Sequence, residues 1–200
     1  MASFKSRYAY PLMYYMLSHK QFKQRQMARD LGFRHGGSIS GFVNWLEELN
    51  FVEKTKDTLH RTLTYQVPSP PSLVKFYSNF RKMSNLRITR DMGTDRNAAI
   101  DFFKKNNGIF CLTTALEHYT TYVRDPAIHV YVDEDYWNEM NEATTEGSVR
   151  VNLYVFKPYR EDNVTEIDGM KLTTRLRTFI DLYCDDKAYA TDTLVSKLWT

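Results

Sequence analysis

Asp133-Glu134-Asp135 stands directly after the apolar run 128–132, and carboxylates two apart at a strand end are one way to hold two magnesium ions against a triphosphate. That chemistry also needs a Gly-Ser pair on a short helix ahead of the carboxylates. Here Gly37-Ser38 lies far upstream and Gly147-Ser148 comes only afterwards, so the order does not fit. The expectation is a polar cap for a helix beginning near Tyr136, since carboxylates suit the positive end of a helix dipole. A degenerate nucleotidyltransferase-like enzyme is the catalytic alternative. A Cys111 nucleophile with His118 or His129 as its base is not settled by spacing, because such pairs meet only in the fold; chance coexistence is the simpler reading. The histidines at 19, 35, 60, 118 and 129 lack metal-ligand spacing, and the chain has no nucleophile elbow, P-loop or dinucleotide fingerprint. No cofactor, metal or enzyme activity is expected.

Polyanion binding fits more residues at once. Met1 to Arg90 carries 15 Lys and Arg against 5 Asp and Glu, a balance of +10, whereas Asp91 to Thr200 carries 12 against 19, a balance of −7. The overall charge of +3 hides this division. A basic module gains affinity for nucleic acid because each neutralised phosphate releases a condensed counterion. Within it, Lys23, Arg25, Arg34, Lys54, Lys56 and Arg61 are the candidates for phosphate contact, and Ser38, Ser40 and Asn44 for approach to base edges. By these roles, removing Arg61 weakens binding on all sequences alike, and removing Asn44 mainly erases preference among them.

Those residues need elements to place them. Leu12, Tyr15 and Met16 predict a first helix over 7–18 with Pro11 in its first turn, and Met27, Ala28 and Leu31 predict a second over 21–31, ended by Gly32. Phe33 to Gly37 supplies a turn, and Ser38 is placed to cap a third helix over 39–49. Ile39, Phe42, Val43, Leu46 and Leu49 form its apolar stripe, which leaves Ser40, Gly41 and Asn44 opposite; Glu47 and Glu48 confine contact with DNA to its first two turns. After Asn50, a left-handed helix end, residues 51–55 and the alternating run 59–67 predict a hairpin. The whole is a winged helix-turn-helix over 1–70, similar to the module of many prokaryotic transcription regulators. Pro68-Ser69-Pro70-Pro71 marks an edge; a linker helix within 71–90, capped by Ser72 and running 73–82, leads to an acidic α/β domain over 91–200. In that domain helices are predicted over 96–107, 112–122, 136–142, 174–183 and 191–198, and strands over 128–132, 149–156 and 166–171. The fold class is therefore α+β.

Two segments of the second half, LTTALEHY at 112–119 and LTTRLRTFIDLY at 172–183, together with the winged helix, resemble AbiEi-type antitoxins and their archaeal relatives, the regulators of type IV toxin-antitoxin systems. The resemblance implies a winged helix that represses its own operon and a C-terminal domain that counters a partner toxin. Arg177 and Asp181, four apart on a helix, are read as an ion pair holding the helix or docking it rather than as a toxin contact. Cys111 and Cys184 lie far apart with no Cys-x-x-Cys, which suggests buried thiols. No run approaches the roughly 18 apolar residues of a membrane span, and the start of the chain lacks a signal-peptide pattern, so a cytoplasmic protein is expected. The expectation is a sequence-specific double-stranded-DNA-binding repressor of antitoxin type, with a homodimer on DNA and a cognate toxin as possible partners. The alternative is an interaction module that neutralises a toxin without touching DNA.

Overall fold

The computed structural model describes residues 8–33, 37–56, 63–121, 125–142, 146–155 and 163–199. The chain is a mixed α and β protein in two compact units, Met1–Arg81 and Lys82–Thr200.

The first unit opens with α1 (Ala9–Ser18), whose Leu12, Met13, Tyr15, Met16 and Leu17 are buried. Next comes α2 (Gln24–Asp30), which is shorter than the 21–31 predicted. Phe22 is the reason: it is extended, and its N–H and C=O exchange hydrogen bonds with Tyr65 at 2.9 Å each, so the chain leaves the ladder before it can wind. Gly32 takes φ +70 just past the end of α2, a left-handed conformation that suits a residue without Cβ. Helix α3 (Gly37–Glu48) starts ahead of the expected position, which puts Ser38 inside the first turn and not at its cap. Its Ile39, Phe42, Val43 and Leu46 are buried, and Asn50 at φ +60 closes it as the sequence suggested. The antiparallel hairpin follows as β1 (Glu53–Lys56) and β2 (Leu63–Gln66), in register Lys54 to Tyr65 and Lys56 to Leu63. Of the described residues in the predicted alternation, Tyr65 is buried while Leu63 is exposed; Leu59 and Arg61 lie outside the described residues. Helix α4 (Pro70–Ser78) begins at the prolines, not at Leu73, because proline's fixed φ and missing N–H are tolerated in a first turn; Ser72 is thus helical and not a cap. It buries Leu73, Val74 and Tyr77.

The second unit is built on a six-stranded sheet. Its strands are β3 (Arg87–Met92), β4 (Ile109–Phe110), β5 (Ile128–Val132), β6 (Val149–Val155), β7 (Val164–Ile167) and β8 (Met170–Thr173), in spatial order β3-β6-β5-β4-β8-β7. The β5–β6 and β4–β8 pairs are parallel and the other three antiparallel. Every residue of β5 is buried, as a strand covered on both faces requires. The helices are α5 (Arg96–Lys105), α6 (Leu112–Tyr119), α7 (Glu134–Glu142), α8 (Arg175–Cys184) and α9 (Asp192–Leu198), with α6 packed on α8. Asp95 caps α5 by accepting from Ala98 N–H, and Asp133 caps α7 by accepting from Tyr136 N–H at 2.7 Å. Two strands, β3 and β4, were not predicted, and the single strand expected over 166–171 is a hairpin turned at Asp168-Gly169, both at positive φ. Among the described residues no helix is long and apolar enough to cross a membrane.

Candidate nucleic-acid interface

Helix α3 decides what can be offered to a ligand in the first unit. With Ile39, Phe42, Val43 and Leu46 turned inward, the outward positions are Gly37, Ser40, Gly41 and Asn44, three and four apart and so on one stripe. Gly37, Gly41 and Asn44 are exposed, and a Cβ built on either glycine meets no atom within 4 Å. The stripe is uncharged, narrow and hydrogen-bonding only at Ser40 and Asn44, the properties that let a helix lie close along a groove floor. Carboxylates enter only in the last turn, with Glu47 and Glu48.

Ser40 is half-buried and its hydroxyl is already engaged, donating to Gln24 Oε1 at 2.9 Å. Gln24, the first residue of α2, is a residue of the candidate interface that sequence reasoning missed. The Oε1 bond ties the start of α2 to α3, while Nε2 is buried without a hydrogen-bond partner among the described residues. Lys23 and Arg25, on either side of it, are exposed cations at the start of α2. On the hairpin, Lys54 and Lys56 are exposed; Lys54 lies 3.7 Å from Glu47, which screens part of its charge, whereas Lys56 has no such neighbour among the described residues. Thus Ser40 is brought against α2 and Lys54 against α3, while Asn44 stands alone on the open stripe. Arg34 and Arg61 lie outside the described residues, as does the side chain of Ser38.

The second unit holds several titratable groups inside, among them Cys111, His129, Arg177 and Asp181. Cys111 is fully buried, and burial followed by the nearby Asp181 carboxylate pushes its thiol well above the ordinary value, which leaves it protonated and a poor nucleophile. Asp133 is committed to its capping bond, and among the described residues no group of three His, Cys, Asp or Glu is arranged to hold a metal ion. The densest polar cluster surrounds His129, on β5: Nε2 is 3.2 Å from Asp125 Oδ2 and 3.4 Å from Lys187 Nζ, and Nδ1 is 3.1 Å from the Tyr154 hydroxyl. Lys187 in turn reaches Asp185 at 3.0 Å, and Thr113 donates to Asp125 Oδ2 at 2.9 Å.

Burial holds the His129 imidazole below its ordinary 6.5, although Asp125 pulls the other way; Asp125 itself lies well below the usual carboxylate range, chiefly through its bond to His129. In both cases the unfolded chain binds the proton more readily. The stability contributed by His129 is therefore present above about pH 6.5 and is lost as pH falls from there, and that of Asp125 is lost further down. The thermal midpoint is expected to drop from pH 8 to pH 5, with an NMR midpoint for His129 below that of a peptide histidine. An imidazole titrating at or above the peptide value contradicts this account. Compared with protein-family models, curated proteins and solved structures, the chain matches none.

Proposed function

We propose that the chain is a double-stranded-DNA-binding transcriptional regulator whose first unit is a winged helix-turn-helix, with α3 as the recognition helix and the β1–β2 hairpin as the wing. One observation carries this reading: the open, uncharged stripe Gly37, Ser40, Gly41 and Asn44, flanked by the exposed cations Lys23, Arg25, Lys54 and Lys56. The order of elements supports it, since the Phe22–Tyr65 bridge gives the hairpin the short third strand that precedes the second helix in winged modules. Lys23, Arg25, Lys56 and, once released from Glu47, Lys54 contact phosphates and set the register; Asn44 and Ser40 meet base edges. Ser38, Arg34 and Arg61 keep the roles assigned from sequence. The acidic second unit is the partner-binding module. Its reading as an antitoxin domain in an autorepressor rests on the AbiEi-type resemblance, and Arg177 and Asp181, being buried at 3% and 0% exposure, act there as framework and not as toxin contacts.

Fluorescence anisotropy on duplex from the gene's own upstream region, against scrambled duplex over a salt series, tests the proposal. Expected is sequence-selective binding whose logarithmic salt slope is roughly −0.9 per phosphate neutralised. Changing Lys23 and Arg25 together to Ala flattens that slope by about 2 and weakens all duplexes alike. No binding at low salt overturns the DNA-binding reading and leaves toxin neutralisation by protein contact as its replacement.

A further inference from the structure

Among the described residues the sheet of the second unit ends on β3, with no strand paired to its outer edge. Met92 C=O accepts from Ser148 N–H at 3.0 Å, so the even-numbered residues of β3 aim their backbone groups toward β6. The odd-numbered ones aim outward. Thr89 C=O confirms the parity, because its partner is the residue's own neighbour: Arg90 Nη1 donates to it at 2.8 Å. Arg87, Thr89 and Asp91 thus present N–H and C=O groups away from the sheet, and Arg87 and Thr89 are exposed.

We propose that β3 is a self-association edge, across which two copies of this chain pair antiparallel about a two-fold axis through Thr89 and join their sheets. The charges select this register. With Thr89 opposite Thr89 of the second copy, Arg87 faces Asp91 and Asp91 faces Arg87, and the outward groups of all three residues find complementary partners. An axis at Arg87, Arg90 or Asp91 sets identical charges opposite each other. An axis at Ile88 forms neither ion pair. The Asp91 carboxylate also has Arg150 at 3.5 Å, but both side chains are open enough, at 41% and 66% exposure, for it to serve a second cation. The Arg90 guanidinium on Thr89 C=O is the device that blunts the edge in the single chain, and association displaces it. The other terminal strand, β7, has four residues and a single charge, Glu166, which gives no such self-complementarity.

The inference stands apart from DNA binding and is tested without DNA, on the full chain by sedimentation equilibrium. A concentration-dependent dimer is expected. Arg87→Asp or Asp91→Arg alone creates two like-charge pairs and raises its dissociation constant by about tenfold, the exchange of both residues recovers most of the loss, and Arg90→Ala tightens the dimer. Circular dichroism of each variant verifies folding. Amide exchange of the unaltered chain supplies a reading free of substitutions: the Thr89 and Asp91 amides gain protection as concentration rises, whereas those of Ile88 and Arg90 are protected throughout. A monomer at all concentrations overturns the proposal, and so does a dimer indifferent to the charge exchange or lacking protection at Thr89.

Discussion

Replacing Asp181 by Ala is expected to destabilise the second unit by about 3–5 kcal/mol, enough to leave it largely unfolded at 37 °C. Asp181 is 0% exposed and its Oδ2 accepts from Arg177 Nε at 2.9 Å and from the Tyr131 hydroxyl at 2.9 Å; Arg177 Nη2 donates to the same hydroxyl at 3.1 Å. Removing the carboxylate takes a close counter-charge from a guanidinium with 3% exposure, and the cost is that of a weakened buried charge pair, not of one lost bond. Changing both members, Arg177→Met with Asp181→Leu, removes the charges together and should recover most of the loss. Tyr131→Phe, which leaves the ion pair in place, should cost about 1–3 kcal/mol. Denaturant melts of the four proteins decide the matter: an Asp181→Ala chain as stable as the parent sinks the account.

Gly41→Glu should lower affinity for the selected duplex at least about 100-fold while the first unit stays folded. The added side chain meets open space, so α3 has no reason to shift, but it places a carboxylate in the middle of the uncharged stripe where phosphates and base edges must come. Gly41→Ala isolates charge from bulk. It should raise the melting midpoint, since alanine is favoured over glycine in a helix interior by about 1 kcal/mol, and reduce affinity far less than Glu does. Undiminished binding by the Glu variant would falsify the assignment of α3 as the groove-facing helix.

What the sequence revealed depended on how each element buries its residues. The run Ile128–Val132 is apolar but for His129 and fully covered, and α3 shows its stripe because one side alone faces the core. Strand β3 escaped notice because it lies at an edge and buries only Ile88, so its residues read as a charged segment after a helix. Strand β4 has two residues, too few for any period. At 166–171 the Asp-Gly pair was overlooked as the turn it makes, although such a pair is the strongest short signal for a hairpin. In the candidate interface, the exposure of Lys23, Arg25, Asn44, Lys54 and Lys56 was legible from charge and helical spacing. Gln24 was not, because its importance comes from a contact with Ser40 across two helices, and nothing in the local pattern encodes it.

The pairing of Phe22 with Tyr65 also governs how the first unit comes to be made. The two residues enclose α2, α3 and β1, so the bridge closes a long loop, and the entropy of that closure is recovered only when the two helices have packed inside it. The third strand cannot therefore join the hairpin as a local event ahead of the helices. A nascent chain therefore holds its second and third helices without their closing strand until Tyr65 has left the ribosome.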